Sequence, residues 1–220
     1  MLHLENTWIK QIFLGERLQE ALEFRVKKMT ELADETGISK QSLSLYAHNN
    51  NTPPYENVVK IARALNFPYD FFMNENACTV VTGNTYFRSQ ATATKRNRKS
   101  QKIKLEYVAK LYGILLDYVN FPELNLPDTS DLYLPDDVLD VDSDEAVKSI
   151  EELAMKVRKC WGLGNGHIDN LQYILESNGI IVTGFRDVDT HIDAFSQQIT
   201  VNDKKIFIIA LAIGNKPIER

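Results

Sequence analysis

The chain of 220 residues is poor in the residues that build most small-site chemistry: two cysteines, four histidines and two tryptophans. Cys78 and Cys160 stand far apart with no paired spacing. Both read as free thiols in the reducing cytoplasm, with a bridge between them the lesser alternative. The histidines are His3, His48, His167 and His191, and none is spaced as a metal pair with another. His191 beside Asp193 reads as a surface pair rather than a ligand set. No apolar run approaches the ~18 residues that cross a bilayer, so no membrane role is expected. The start, Met1 to Asn6, lacks a basic region and a small-residue cleavage site, which argues against secretion. Gly162, Gly164 and Gly166 follow a helical pattern rather than a strand and lack a Lys-Ser/Thr tail, so they are not a phosphate loop. No cofactor is implied.

What is present is an ordinary globular composition, 44% apolar and 25% charged, enough for one or two domains. The net charge of −5 conceals an asymmetry. Residues 1–105 sum to +5 and residues 106–220 to −10. A basic half can meet phosphate; an acidic half is repelled by it.

One stretch stands out, Met29 to Tyr46. Its first half has the pattern of a short helix. Gly37 then stops it, because glycine enters the left-handed region without steric cost. Ser39 can cap a second helix by accepting a backbone N–H. Leu32, Ala33, Ile38, Leu43 and Tyr46 point inward in this reading, while Lys40, Gln41, Ser42 and Ser44 point outward. Two helices across a glycine turn, the second with a polar outer face, are a helix-turn-helix signature.

Around it the periodicity predicts a first helix from about Leu14 to Val26, a fourth from Tyr55 to Leu65 and a short fifth from Tyr69 to Phe72. Asn49 can end the third helix, since asparagine tolerates the left-handed region. Residues 76–105 read as a linker, with six basic and no acidic residues between Ala91 and Lys104. Two readings of that run stay open, an arm on the DNA backbone and a solvated linker. Amphipathic helices are expected over Ile103–Val119, from Ser143 to Trp161 and over Ile168–Asn178. Three strands follow, Gly179–Phe185, Ala194–Val201 and Ile206–Ala212, the last two as a hairpin. The third is apolar on both faces, so it needs cover on both.

The Met29–Tyr46 stretch resembles the lambda-repressor-like (Xre, Cro/CI-type) DNA-binding family. The second half resembles the N-terminal part of an ImmA/IrrE-type zinc metallopeptidase domain. That likeness rests on Glu151-Glu152-Leu153-Ala154, Arg158 to Gly164, Ile168, Leu175 to Val182 and Ile192 to Ser196. Tyr86-Phe87-Arg88-Ser89 and Leu124-Asn125-Leu126-Pro127 are similar to what joins the two in fused regulators. The peptidase family's H-E-x-x-H helix, with two zinc-binding histidines and a glutamate for the water, would follow a segment like Asn215–Arg220 and is not in this sequence. The expectation is therefore a regulator truncated before that helix, with no catalytic residue and no metal ligand of its own.

The resemblance implies a mainly α chain. A five-helix DNA-binding bundle (residues 1–75) and a basic linker (76–105) would precede an incomplete α+β domain with a small three-stranded sheet (106–220). It implies double-stranded DNA as ligand, a homodimer, a protein partner for residues 106–220, and a bacterial, phage or mobile-element source. It puts Lys40, Gln41, Ser42 and Ser44 at base edges, and Ser39, His48 and Asn50 toward phosphates. Departures from the family pattern are Lys28 and Met29 in place of a Thr/Ser cap and Gln, Ala47 for a Glu, and Asn49 for a Gly. Met29 removes a phosphate hydrogen bond, typically ~1 kcal/mol, which Lys27 and Lys28 could offset. Two other functions compete with transcriptional regulation. One is the N-terminal fragment of a zinc-dependent, repressor-cleaving peptidase; the other is an antitoxin-like interaction module.

Overall fold

The computed structural model describes residues 12–74, 80–87, 94–128, 144–186 and 194–213. Cys78, Ser143, the His191–Asp193 pair and the Asn215–Arg220 segment lie outside them.

The first unit is helical. It contains α1 (Gly15–Phe24), α2 (Met29–Thr36), α3 (Lys40–Ala47), α4 (Tyr55–Leu65) and a 3-10 turn (Tyr69–Phe72). Leu18, Leu32, Leu43, Ile61, Leu65 and Phe72 are almost fully buried and form its core. Burying each such side chain is worth about 1.5–3 kcal/mol. Phe13 stacks on Phe72, with ring centroids 6.0 Å apart. The helix ends follow local chemistry. Gly37 sits at φ +69° and its N–H reaches the Ala33 carbonyl. The end of α4 is closed from elsewhere: Arg25 donates to the carbonyls of Leu65 (2.8 Å) and Asn66 (2.7 Å), and Lys27 to that of Ala64 (3.1 Å).

The second unit has four strands, not the expected three. They are β1 (Val80–Phe87), β2 (Ile180–Phe185), β3 (Ala194–Val201) and β4 (Lys204–Ala212), in the order β1-β3-β4-β2. β1 was hidden because Gly83 and Asn84 interrupt its alternation. They sit where its pairing with β3 shifts register, between Thr82 and Thr85. Gln197, buried on β3, donates to the Gly83 carbonyl at that irregularity. β3 and β4 are joined by Asn202 and Asp203, both at positive φ (+47° and +64°). A two-residue turn of that kind matches strand twist. β2 runs parallel to β4.

The helix α5 (Lys95–Leu115) ties the two units together. It starts eight residues before the predicted Ile103, with Thr94 as cap accepting from the Asn97 N–H. The span read as a linker thus holds β1 and the first turns of α5. Leu105, Ala109 and Tyr112 pack on Phe195, Ile199, Ile208 and Ala210 of the sheet. The opposite side lies on α1. There Ser100 donates to the Phe24 carbonyl, Tyr107 meets the rings of Phe24 and Phe71, and Lys99 reaches Glu23. Lys104 lies over Phe24 and Phe185 at once, 5.8 Å from each ring. Two further helices, α6 (Asp144–Cys160) and α7 (Leu171–Ser177), complete the elements. Arg158 at the end of α6 bonds the Gly164 and Gly166 carbonyls, which makes that glycine loop a closed turn.

A half-buried ionic cluster lies between α1 and α5. Glu20 takes Arg17 at 2.8 Å and Lys110 at 3.0 Å. Burial alone would raise the Glu20 carboxyl, but hydrogen bonds from Arg17 and Lys110 outweigh it and hold it below its ordinary value. Glu106 differs: burial raises its carboxyl, and Lys110 and Lys102 only partly compensate. A lowered carboxyl contributes stability above its unfolded value, and this is lost as pH falls through its folded value. Glu20→Gln is therefore expected to cost about 1.5–3 kcal/mol at pH 7 and progressively less in acid. Glu106→Gln is expected to cost nothing or stabilise at pH 7. Urea titrations of the three proteins at neutral and acid pH test this; a Glu20→Gln deficit that does not change with pH would show that charge is not its source.

α1 approaches the end of α3 so closely that a Cβ on Gly15 would lie 2.4 Å from the Tyr46 carbonyl oxygen. Gly15→Ala must part the two helices, and overpacking of this kind costs about 1–3 kcal/mol. A lowered midpoint in thermal melts is the expected result.

Candidate nucleic-acid interface

The reader is built from local signals. Ser39 caps α3, its Oγ accepting from the Ser42 N–H at 3.1 Å. Ser39 Oγ also pairs with Ser42 Oγ at 2.8 Å. Leu43, Tyr46 and Ala47 turn inward, as Leu32 and Ile38 do from the preceding turn, while Ala33 is only half-buried. Lys40, Gln41 and Ser44 are exposed, and none makes a side-chain hydrogen bond among the described residues. An ammonium, an amide and a hydroxyl are thus free on one exposed helix, able to donate to or accept from base edges.

The seven residues singled out from the sequence divide into two groups. Lys40, Gln41 and Ser44 are free to reach outward. Ser42 is half-buried and shares the cap with Ser39, so these two hydroxyls first serve the helix end. His48 uses Nδ1 on the Ser44 carbonyl at 2.7 Å, leaving Nε2 outward. Asn50 is exposed, and its backbone N–H closes on the Leu45 carbonyl.

At the start of α2 the balance of cations differs from expectation. Lys27 is held by Glu35 at 2.6 Å and by the Ala64 carbonyl, so it is not available to offset Met29. Lys28 is exposed, and its backbone N–H donates to Glu31 at 2.6 Å. A cleft of about 560 Å³ between α2 and α3 is lined by Thr30, Ala33, Asp34, Gly37, Ile38, Ser39 and Lys40. Asp34 places a carboxylate beside the reading surface, where it opposes phosphate.

The basic run is also partly spent on packing. Lys99 pairs with Glu23 at 2.5 Å, and Lys104 is buried. Lys95 and Arg96 stay exposed at the first turn of α5.

Two side chains hold α3 in place, in a role that sequence reasoning did not assign to either. Asn49, at φ +56°, accepts from the Gly15 N–H at 2.7 Å. Gln19 donates to the Ala47 carbonyl at 2.7 Å. The backbone role of Asn49 was visible in its residue type. Its partner, 34 positions earlier, was not.

No group of three or more His, Cys, Asp or Glu side chains gathers for a metal among the described residues. Nor is any described helix long and apolar enough to cross a membrane.

Residues 15–77 match the profile of a family described as a helix-turn-helix domain. No curated protein matches the chain. A solved structure titled "SinR protein/SinI protein complex" is similar at 19% identity, covering 48% of this chain and 92% of that one, with a TM-score of 0.27. That likeness is too slight to carry any inference about partners. The profile match and the geometry of α2 and α3 agree that residues 15–77 form a helix-turn-helix domain.

Proposed function

We propose that the chain is a sequence-specific DNA-binding transcriptional regulator. α3 enters the major groove, with Lys40, Gln41 and Ser44 toward base edges. Ser39, His48, Asn50 and Lys28 lie toward phosphates. The observation that carries this reading is the freedom of Lys40, Gln41 and Ser44 on a capped, exposed helix within a helix-turn-helix domain. Lysine can donate to guanine O6 and N7, and glutamine can pair with adenine N6 and N7. One such helix reads only a few base pairs, so the working form is a homodimer on paired half-sites. The acidic second half, net −10, stays off the duplex and is free to meet a protein partner.

A second reading draws on the outer face of β4. Leu211 is 45% exposed, and Phe207 and Ile209 are only half-buried on that side. A further helix laid there would give the cover that the peptidase resemblance calls for. An H-E-x-x-H coded shortly after Arg220 would support a zinc-peptidase parent; a stop codon there would count against it.

The DNA reading is tested by selecting bound duplexes from a random pool and then measuring affinity for the selected site and for an unrelated duplex. Lys40→Ala with Gln41→Ala should erase the preference, at about 1–3 kcal/mol per bidentate contact. Binding to the unrelated duplex should be largely spared and should weaken steeply with salt. Equal loss on every sequence would show that these side chains do not read bases. No binding at low salt would favour the protein-interaction alternative.

A further inference from the structure

The proposed reading surface stands at one end of an eight-residue helix; what fixes its direction is at the other. Leu14, the residue before α1, offers no side-chain cap. The first N–H of α1 is instead capped from α3's exit by Asn49 Oδ1, at 2.7 Å. Asn49 Nδ2 reaches the Glu16 carboxylate at 3.3 Å. Gln19, one turn along α1, bonds the last carbonyl of α3. Gly15 removes the side chain that would hold the two backbones apart. α1 is itself held from its other side by α5, through Glu20–Lys110 and Phe24–Tyr107. It is therefore a fixed reference for α3.

We infer that Asn49 and Gln19 are positioning residues for base readout: they set the tilt of α3 against α1 and so the place of Lys40 and Gln41. This rests on the DNA-reading function proposed above. A helix of eight residues is about 12 Å long. Pivoting at its exit by ~10° moves its entry by about 2 Å, well beyond the ~0.5 Å tolerance of a directed site. Base-edge hydrogen bonds are lost over that distance. Flexible cations on phosphates tolerate it, because their attraction is Coulombic and falls off slowly. Loss of either tie should therefore lower selectivity more than affinity for DNA in general.

The test uses the full chain with paired substitutions. Asn49→Gly keeps the left-handed backbone but removes both side-chain bonds; Asn49→Asp, made with Glu16→Gln so that two carboxylates do not meet, keeps the acceptor for Gly15. Gln19→Leu removes the donor; Gln19→Lys keeps one. Each protein is titrated with its selected site and with an unrelated duplex at one salt concentration. Exchange of the Gly15 amide is followed by NMR without DNA. Gln19→Leu should lower the ratio of the two affinities about fivefold, the weight of one hydrogen bond, and Asn49→Gly, which loses two, at least as much. Binding to the unrelated duplex should change less than about twofold on the same grounds. Asn49→Asp and Gln19→Lys should recover most of the ratio. The Gly15 amide should exchange faster in Asn49→Gly alone among the four. An unchanged ratio with faster exchange would overturn the inference, leaving Asn49 a cap and nothing more. Proportional loss on both duplexes would overturn it too, as damage to the fold. Absence of any selectivity in the unaltered protein would instead reject the DNA-reading function, and the positioning role with it.

Discussion

The reading helix, the helical core and the connecting helix all lean on α1. Its entry is pressed against the exit of α3, with Gly15 allowing backbone contact. Its acidic side, Glu20 and Glu23, meets lysines of α5. Its apolar side, Leu18, Ala21 and Leu22, is core. One ten-residue helix thus serves the reader, the connecting helix and the core together. No face of it is left that could change without touching one of the others.

That constraint changes the meaning of the chain's charge. The +5 of the first half suggested a surface for phosphate. The structure divides those cations. Arg25 and Lys27 close the end of α4, Arg17 meets Glu20 (as does Lys110 from the second half), and Lys99 meets Glu23. Those left exposed, Lys28, Lys40, Lys95 and Arg96 among them, are fewer than the composition implied. Charge counted along a sequence overstates what a ligand meets, because an ion pair inside the protein removes both partners from the field.

Much of the helical unit was legible. The stop at Gly37, the cap at Ser39, the left-handed Asn49 and the inward Leu32, Ile38, Leu43 and Tyr46 depend on residues within a turn or two of one another. The Asn202-Asp203 hairpin belongs to the same class, since its signal is two turn residues between two apolar runs. β1 did not, because Gly83 and Asn84 break the alternation that marks a strand. Its pairing with β3 replaces what the local pattern lacks. The long α5 extends beyond the predicted start because its first turns are polar on every side, and Ser100 and Gln101 among them are buried, Ser100 against the Phe24 carbonyl.

The sequence by itself determined the helix-turn-helix, its cap and turn, and three of the four residues read as outward on α3: Lys40, Gln41 and Ser44. Periodicity and capping act over three or four residues, so the chain carries them openly. Only the tertiary structure decided which of those polar groups are spent internally and which stay free, and what aims α3. Ser42 shares a cap with Ser39, Lys27 is held by Glu35, and Asn49 reaches back to Gly15. The last two of these contacts close loops of 8 and 34 residues. Which partner a donor finds across such a loop is settled by the packing of whole helices, and that packing is what the chain does not spell out locally.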